Sequence, residues 1–472
     1  MIPLFELFPQ EAYYFMYAQH PALSYFDHPP MVAVFISIMT TILGKSVFGL
    51  RFGALLVTFI SQVLFYKTAR LLYDKKISQR ITLVMASSLL ISNISLIFTP
   101  DVPLLLTWTG VLYALIQAIF KEKKYFWIIA GVFMGLAFDS KYTGAATQMG
   151  LVAFLILSKN HRKLLLTPYP YLALLTAHLV MLPVYIWNGQ NDWVSFAFQS
   201  TTHTGPSSLK FKPQFLVALV ATQTALVGLP LLILLFKWTG TTIQKMATRI
   251  KKPLTFFSAL SDSELFLTLF FIPLFLGFFM LSFTTLVKPN WITPAYLAGM
   301  LLVAPLLSKK FMKWQFIFVG VLHIVAVIYL VTMFYPIKSD DTCIGWKDLG
   351  HYVEQYATHT PEIFIFSTDG YKTSAELRFY TNISVYSKEI IGKPALQFDY
   401  IGTNINSLIG KDALYIDSSP RNLSPQKRET INSDVSGKFD STVQLNPIII
   451  ENKFGIQRVF HIYHCYNYLG IN

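Results

Sequence analysis

Two acids, a histidine and a run of tyrosines crowd the first thirty residues. From Phe8 the chain reads FPQEAYYFMYAQHPALSYFDHPP, which sets Glu11 and Asp27 among Tyr13, Tyr14, Tyr17, Tyr25 and Phe26 and places Pro29 and Pro30 directly after His28. A carboxylate within reach of a hydroxyl can take its proton. The two prolines fix a rigid, extended entry into the next helix. A third acid, Asp101, comes directly after Pro100, where a carboxylate suits the positive end of a helix. Asp139 and Asp192 complete this set of acids, and Arg51, Lys141, His203 and Lys288 supply cations.

These residues need elements to hold them, and composition says which. The chain has 472 residues, 53% hydrophobic and only 13% charged, against about 25% charged in soluble domains. Long apolar runs explain the deficit, so the fold class is a polytopic α-helical membrane protein. The formal net charge of +13 would suggest nucleic acid in a soluble chain. Here the positive residues fall in short loops between apolar runs, the positive-inside pattern, and no nucleic-acid partner is expected. Cys343 and Cys465 form no disulfide framework, although one bond between them is open if their region is extracytoplasmic.

Ten spans are expected, at 47–66, 81–98, 102–120, 125–138, 143–157, 164–187, 214–236, 265–286, 292–307 and 316–335. Basic loops such as 67–80 and the KEKK run at 121–124 mark the inner side. Residues 29–43 are apolar but short, and parity holds only if they form an interfacial or re-entrant outer helix. Residues 1–30 then lie outside, which requires a span ahead of the chain or a crossing by 29–43; the former is preferred. The domains are 1–335 (outer loop with interfacial helix 1–46, spans 47–335) and an extracytoplasmic α/β domain, 336–472. The latter should hold strands at 362–366, 383–386, 413–416 and 448–451, and short helices at 346–356, 373–380 and 426–431. The stretch 188–213 reads as an outer loop.

Under this topology Glu11, Asp27, Asp101, Asp139 and Asp192 all reach the outer face. Charge near membrane depth is costly, so these acids are functional candidates. Plainer readings stand beside that one: a helix cap for Asp101, a solvated loop acid for Glu11, a structural hydrogen bond for His28. Lysines at span ends commonly snorkel, yet a phosphate-bearing lipid would need such cations at headgroup depth. Two function classes fit: a transferase using a lipid phosphate, with a carboxylate base and cations on the leaving group, or a transporter or flippase for a lipid-linked sugar. Transporters favour broken mid-membrane helices and internal repeats, whereas these acids gather at one face.

The stretches PQEAYYFMYAQHPALSYFDHPPM, FTPDVPLLLTW, GLAFDSKYTGA, WNGQNDWVSFAFQ and KPNWITPAYLAG, with GWKDLGHYVEQY and AELRFY in the tail, resemble glycosyltransferase family 39. That family includes protein O-mannosyltransferases and lipid A aminoarabinose transferases. The resemblance implies an integral-membrane glycosyltransferase fold at the cytoplasmic (inner) membrane, with the active site and C-terminal domain on the outer side. It implies a polyprenyl-phosphate sugar donor, an inverting displacement, and a hydroxyl acceptor on glycan, lipid or protein. The family's first outer loop carries Asp then Glu, with the aspartate as base; here the pair is Gln10 and Glu11, which leaves the base to Glu11 or Asp101 or to a different arrangement. Asp27, His28, Lys141 and Tyr142 fall at the family's donor-phosphate positions, Asp27 and His28 through a divalent metal if there is one. Gln10, Tyr14, Tyr25, His203, Lys288 and Asn290 are expected substrate contacts. The family also has a first span ahead of the loop.

Overall fold

The computed structural model describes residues 5–204, 210–247, 260–335, 337, 339, 341–418 and 433–471, the side chains of 201–204 excepted. Contacts divide the chain into two compact units. One comprises Met1–Asp27, Ala33–Leu50 and Ala326–Asn472; the other comprises His28–Val32 and Arg51–Val325.

The second unit is helical. Among the described residues, Val47–Leu72, Asp101–Phe120, Asp262–Leu281 and Lys309–Thr332 are each long and apolar enough to cross a bilayer. Three more crossings arise only if a bent pair counts as one: Lys75–Ala86 with Leu89–Leu96 (62°), Tyr169–Val180 with Leu182–Gln190 (45°), and Pro213–Val227 with Leu229–Ala247 (115°). Among the described residues, four of the ten expected spans, or up to seven, are therefore long and apolar enough to cross. The remaining expected spans fold as Phe126–Ser140, Ala146–Leu157 and Thr293–Val303, only 15, 12 and 11 residues long. Window hydropathy sums apolar content and is blind to a break within the window. The expected loop at 188–213 is also partly helical, with Val194–Thr204.

The breaks have local causes. Pro183 occupies the first turn of Leu182–Gln190, where its missing N–H costs nothing. Ser88 accepts from the Ile91 N–H and starts Leu89–Leu96. At the sharpest bend Gly228 takes φ +91°, and a Cβ there would lie 2.5 Å from the Gln315 side chain. Gln315 is fully buried. Its Nε2 donates to the Val227 carbonyl at 2.7 Å and its Oε1 accepts from the Leu231 N–H at 3.1 Å. One amide side chain thus satisfies backbone groups on both sides of a break, as buried peptide groups require. Asp101–Phe120 is buried on almost every face. Lys309–Thr332 buries little beyond Gln315 and Val319, leaving the all-round apolar surface of a lipid-facing helix.

The first unit is built on a six-stranded sheet: β1 (Phe364–Ser367), β2 (Val385–Tyr386), β3 (Ala413–Ser418), β4 (Phe439–Gln444), β5 (Ile448–Asn452) and β6 (Gly455–Tyr468). The order is β2-β1-β3-β6-β4, with β5 also paired to β6. β1 is parallel to β2 and β3; β6 runs antiparallel to β3, β4 and β5. Alternate side chains form two cores. Phe364, Phe366, Tyr415, Tyr463 and Cys465 face one side. Ile365, Leu414, Ile416, Phe460 and Ile462 face the other, where Trp346–His359 and Lys372–Tyr380 pack through Trp346, Leu349, Val353 and Leu377. Four expected strands and two expected helices are present; β4 and β6 were not anticipated, and the helix expected at 426–431 lies outside the described residues. Cys343 and Cys465 are both buried, and the disulfide left open between them is not made.

Replacing Gln315 by Leu should lower stability by on the order of 2 kcal/mol or more, since two buried backbone groups lose their partner. Thermal unfolding of the purified protein in detergent measures it, and Gly228→Ala should destabilise in the same direction.

Candidate functional site

Lys141 sits where Phe126–Ser140 ends. The backbone leaves the helix extended at Lys141 and tightens into a 3-10 turn, Tyr142–Ala145. Gly144 permits this close return, because a Cβ there would lie 2.2 Å from the Ala137 backbone. Its N–H donates to the Lys141 carbonyl at 2.7 Å. So held, Lys141 Nζ donates to Asp101 Oδ1 at 2.9 Å, and both side chains are buried. Asp101 begins its helix but makes no side-chain cap there; its charge goes to Lys141 instead. The other oxygen, Oδ2, accepts from Asn290 Nδ2. Asn290 lies in the turn Pro289–Ile292, which Gln223 holds: Nε2 donates to the Pro289 carbonyl at 2.9 Å, and Oε1 accepts from the Tyr296 hydroxyl at 2.7 Å.

His28 belongs to this same unit. Burial, and then the charges of Lys141 and Lys288, hold the pKa of its ring down at about 3. At neutral pH the imidazole is therefore uncharged, and it sits in a field of two lysines. Lys288 itself is exposed. Tyr142 packs edge-on against Phe138 and Phe196, both at 5.4 Å. Asp139 is buried, and its Oδ1 has no hydrogen-bond partner among the described residues.

Glu11, Gln10, Asp27 and the tyrosines lie in the other unit. Pro9–Gln19 (α1) starts with proline in its first turn, and Glu11, fully buried, accepts from the Phe8 N–H at 3.1 Å. Glu11 thus serves the N-terminus of its own helix. Asp27 Oδ1 accepts from the hydroxyls of both Tyr13 and Tyr17. Burial and the Asp27 charge raise both phenols well above their usual range, so they stay protonated donors. Tyr25 stacks on Tyr17 at 4.2 Å and donates to the Tyr17 carbonyl. Tyr14 meets Tyr17 edge-on at 5.5 Å. Gln10 lies in the first turn of α1, and Tyr371 stacks on Tyr13 at 4.3 Å. Gln397 donates from its backbone to the Tyr13 hydroxyl and accepts from the Phe26 N–H at 2.7 Å.

The structure thus places Asp101, Lys141, Asn290, His28 and Lys288 in one unit and Glu11, Asp27, Gln10, Tyr14 and Tyr25 in the other. The side chain of His203 lies outside the description. Sequence reasoning missed Tyr371 and Gln397, which hold the tyrosines, and Gln223, which holds the Asn290 turn. Only Gln223 carried a signal, as a polar residue inside an apolar run. A divalent cation fits poorly. Asp27 Oδ1 is taken by two hydroxyls and His28 faces two lysines. Among the described residues no three metal-ligating side chains cluster.

Comparison with known proteins bears on this geometry. Residues 27–187 match the family model of dolichyl-phosphate-mannose-protein mannosyltransferases. The lipid A galacturonosyltransferase RgtD of Rhizobium johnstonii is 24% identical over 312 residues, 65% of this chain and 62% of RgtD. The chain thus spans less than two thirds of that relative. ArnT from Cupriavidus metallidurans, solved with undecaprenyl phosphate, superposes with a TM-score of 0.61 at 14% identity, over 98% of this chain and 95% of ArnT. The chain has the GT-C glycosyltransferase fold. The archaeal oligosaccharyltransferase AglB from Archaeoglobus fulgidus, solved with an inhibitory peptide and a dolichol-phosphate, shares that fold at a TM-score of 0.50 and 11% identity, over 88% and 66% of the two chains. Within the GT-C fold of this chain, the expected helical membrane-type body and small C-terminal sheet are both present.

Removing one partner of a buried ion pair strands the other. Asp101→Asn or Lys141→Met alone should cost about 3–5 kcal/mol, and the double variant should recover much of that loss. A double-mutant cycle by denaturant unfolding tests it; additive losses would mean that the pair is not coupled.

Proposed function

We propose that this chain transfers a sugar from a polyprenyl-phosphate donor to a hydroxyl acceptor at the outer face of the cytoplasmic membrane. The observation that carries the reading is the basic group in the helical unit: Lys141, fixed on Asp101, and a neutral His28 that feels the charges of both Lys141 and Lys288. Three basic side chains to one carboxylate suit a phosphate, which accepts charge-assisted hydrogen bonds from all of them. The polyprenyl phosphates bound to ArnT and AglB support the same donor class. RgtD, named for action on lipid A, favours a lipid among the acceptor classes.

In this reading Asp101 is a positioning residue. Its two oxygens are engaged by Lys141 and Asn290, and Glu11 is buried on its helix N-terminus. Asp27, held by two protonated phenols, is the acid we assign as base. It takes the proton of the acceptor hydroxyl as that oxygen attacks the anomeric carbon. The bond from that carbon to the phosphate oxygen breaks, and polyprenyl phosphate leaves with the electron pair. Lys141, Lys288 and His28 stabilise the charge that develops on it. Residues Gln10, Tyr14, Tyr25 and Tyr142 remain candidate sugar or lipid contacts.

Asp27→Asn should lower kcat for sugar transfer by about 10²–10⁴-fold with little change in KM. Full transfer by this variant would remove Asp27 from the role, and movement of the lipid-linked sugar without covalent product would favour the transporter reading. A bound phosphate should also raise the His28 pKa from about 3, so that binding takes up a proton. Wild-type affinity for polyprenyl phosphate should then gain on that of His28→Gln as pH falls from 8 to about 5.5. Parallel pH profiles for the two proteins would exclude His28 from the phosphate site.

A further inference from the structure

A second basic group lies wholly within the sheet-containing unit. A cavity of about 320 Å³ is lined by Gln19 and His20 from the end of α1, by Lys45, and by Arg378, Thr381 and Asn382, with Ile383 and Ser384 beyond them. Neither Lys45 nor Arg378 pairs with a carboxylate among the described residues. Lys45 Nζ reaches only neutral acceptors, and at long range: the carbonyls of Arg378 and Thr381 at 3.4 and 3.3 Å and Asn382 Oδ1 at 3.5 Å. The buried Arg378 donates through Nε to the Val385 carbonyl at 2.8 Å and through Nη1 to His20 Nε2 at 3.2 Å. His20 is thereby an acceptor and uncharged, in keeping with a pKa lowered by burial and by Arg378. The nearest acids that Lys45 and Arg378 feel, Glu354 and Glu389, act on them through space without an ion pair.

Two cations facing one cavity whose lining holds no carboxylate form an anion site. The surroundings indicate the anion's source. Met31–Leu43 (α2) ends two residues before Lys45. It presents Val34, Ile38 and Ile42 at spacings of four, 44%, 47% and 70% exposed, an apolar stripe along one helix face. Leu23 and Phe48, within three residues of His20 and Lys45, are exposed as well. An apolar stripe that runs up to a basic pocket is the arrangement of an interfacial helix meeting acidic headgroups.

We infer that the Lys45–Arg378 cavity binds the phosphate of an acidic membrane lipid, whose acyl chains lie along the exposed face of α2. Arg378 supplies a planar donor fork and Lys45 a mobile charge at the rim. The site shares no residue with the donor-phosphate group at Lys141 and does not depend on the transferase reading.

The test is binding, not turnover. Full-length protein is reconstituted in nanodiscs, and lipid retention by native mass spectrometry is compared for phosphatidylglycerol and phosphatidylcholine, with inorganic phosphate added separately in a thermal-shift arm. Wild type should retain phosphatidylglycerol preferentially. Lys45→Gln, a change at an exposed side chain, should weaken that retention about tenfold, and Lys45→Glu more. Arg378→Gln should do the same; should it fail to fold, the Lys45 pair decides alone. Stabilisation by inorganic phosphate without a lipid preference would overturn the lipid assignment in favour of a soluble anion. Equal retention of both lipids by wild type and Lys45→Glu, with no phosphate effect, would overturn the site altogether.

Discussion

The buried ion pair between Asp101 and Lys141 is the constraint around which the helical unit is arranged. Two charges removed from water are tolerated only when the geometry is good and the remaining hydrogen-bonding capacity is met. Both conditions are satisfied by backbone features remote in sequence. The return of the chain at Gly144 aims Lys141, the first turn of Asp101–Phe120 presents the carboxylate, and Asn290 takes the second oxygen. A buried, anchored lysine is also a better electrostatic element than a mobile one, because its orientation is set before any ligand arrives. The pair therefore links the cost of a buried charge to the fixed placement of a cation.

The same logic governs the breaks. A membrane-type helix that bends exposes peptide groups to an environment without water. At Gly228 the fold answers with Gln315, reaching both sides of the bend, and at the Asn290 turn with Gln223. These amides are uncharged and bidentate, so each satisfies a donor and an acceptor without adding a charge that would need its own partner. In the other unit the amino-terminal segment is fixed by equally specific means. Glu6 accepts from the N–H of Trp346, the first residue of Trp346–His359, and Leu7 donates to the Tyr380 hydroxyl. An acid at the start of a helix meets unsatisfied donors and the positive end of the dipole together.

Much of this was legible in the chain and some was not, for identifiable reasons. The strands β1, β3 and β5 are short apolar runs, and Trp346–His359 is strongly amphipathic, so pattern alone located them. β6 escaped because GIQRVFHIYHCYNY carries Arg458, His461 and His464. These are buried nonetheless: Arg458 lies over the Trp346 ring at 4.1 Å and donates to Ser418 and Thr342, and His464 bonds Tyr356 and Asp412. Burial on both faces of a sheet is a tertiary property, and polar residues that find partners there look like loop residues in one dimension. The breaks within expected spans went unseen for the converse reason, since hydropathy cannot see Gly228 turn a helix. Asp101 and Lys141 stood out as charges at the ends of apolar runs. Their pairing, across 40 positions, did not.

The glutamine at position 10, where the resemblance to glycosyltransferase family 39 leads one to expect an aspartate, has a physical setting. Gln10 lies in the same unit as Tyr371, a buried phenol whose pKa is pushed up by burial first and then by Asp341, Asp27 and Asp369. Three carboxylates already act on that ring through space. A further carboxylate at position 10 would add like charge to a desolvated site and raise the cost of keeping Asp27 ionised. An amide at that position omits the charge. Tyr371 stacks on Tyr13, and Tyr13 donates to Asp27, so these rings form a chain of contacts that ends on a single carboxylate.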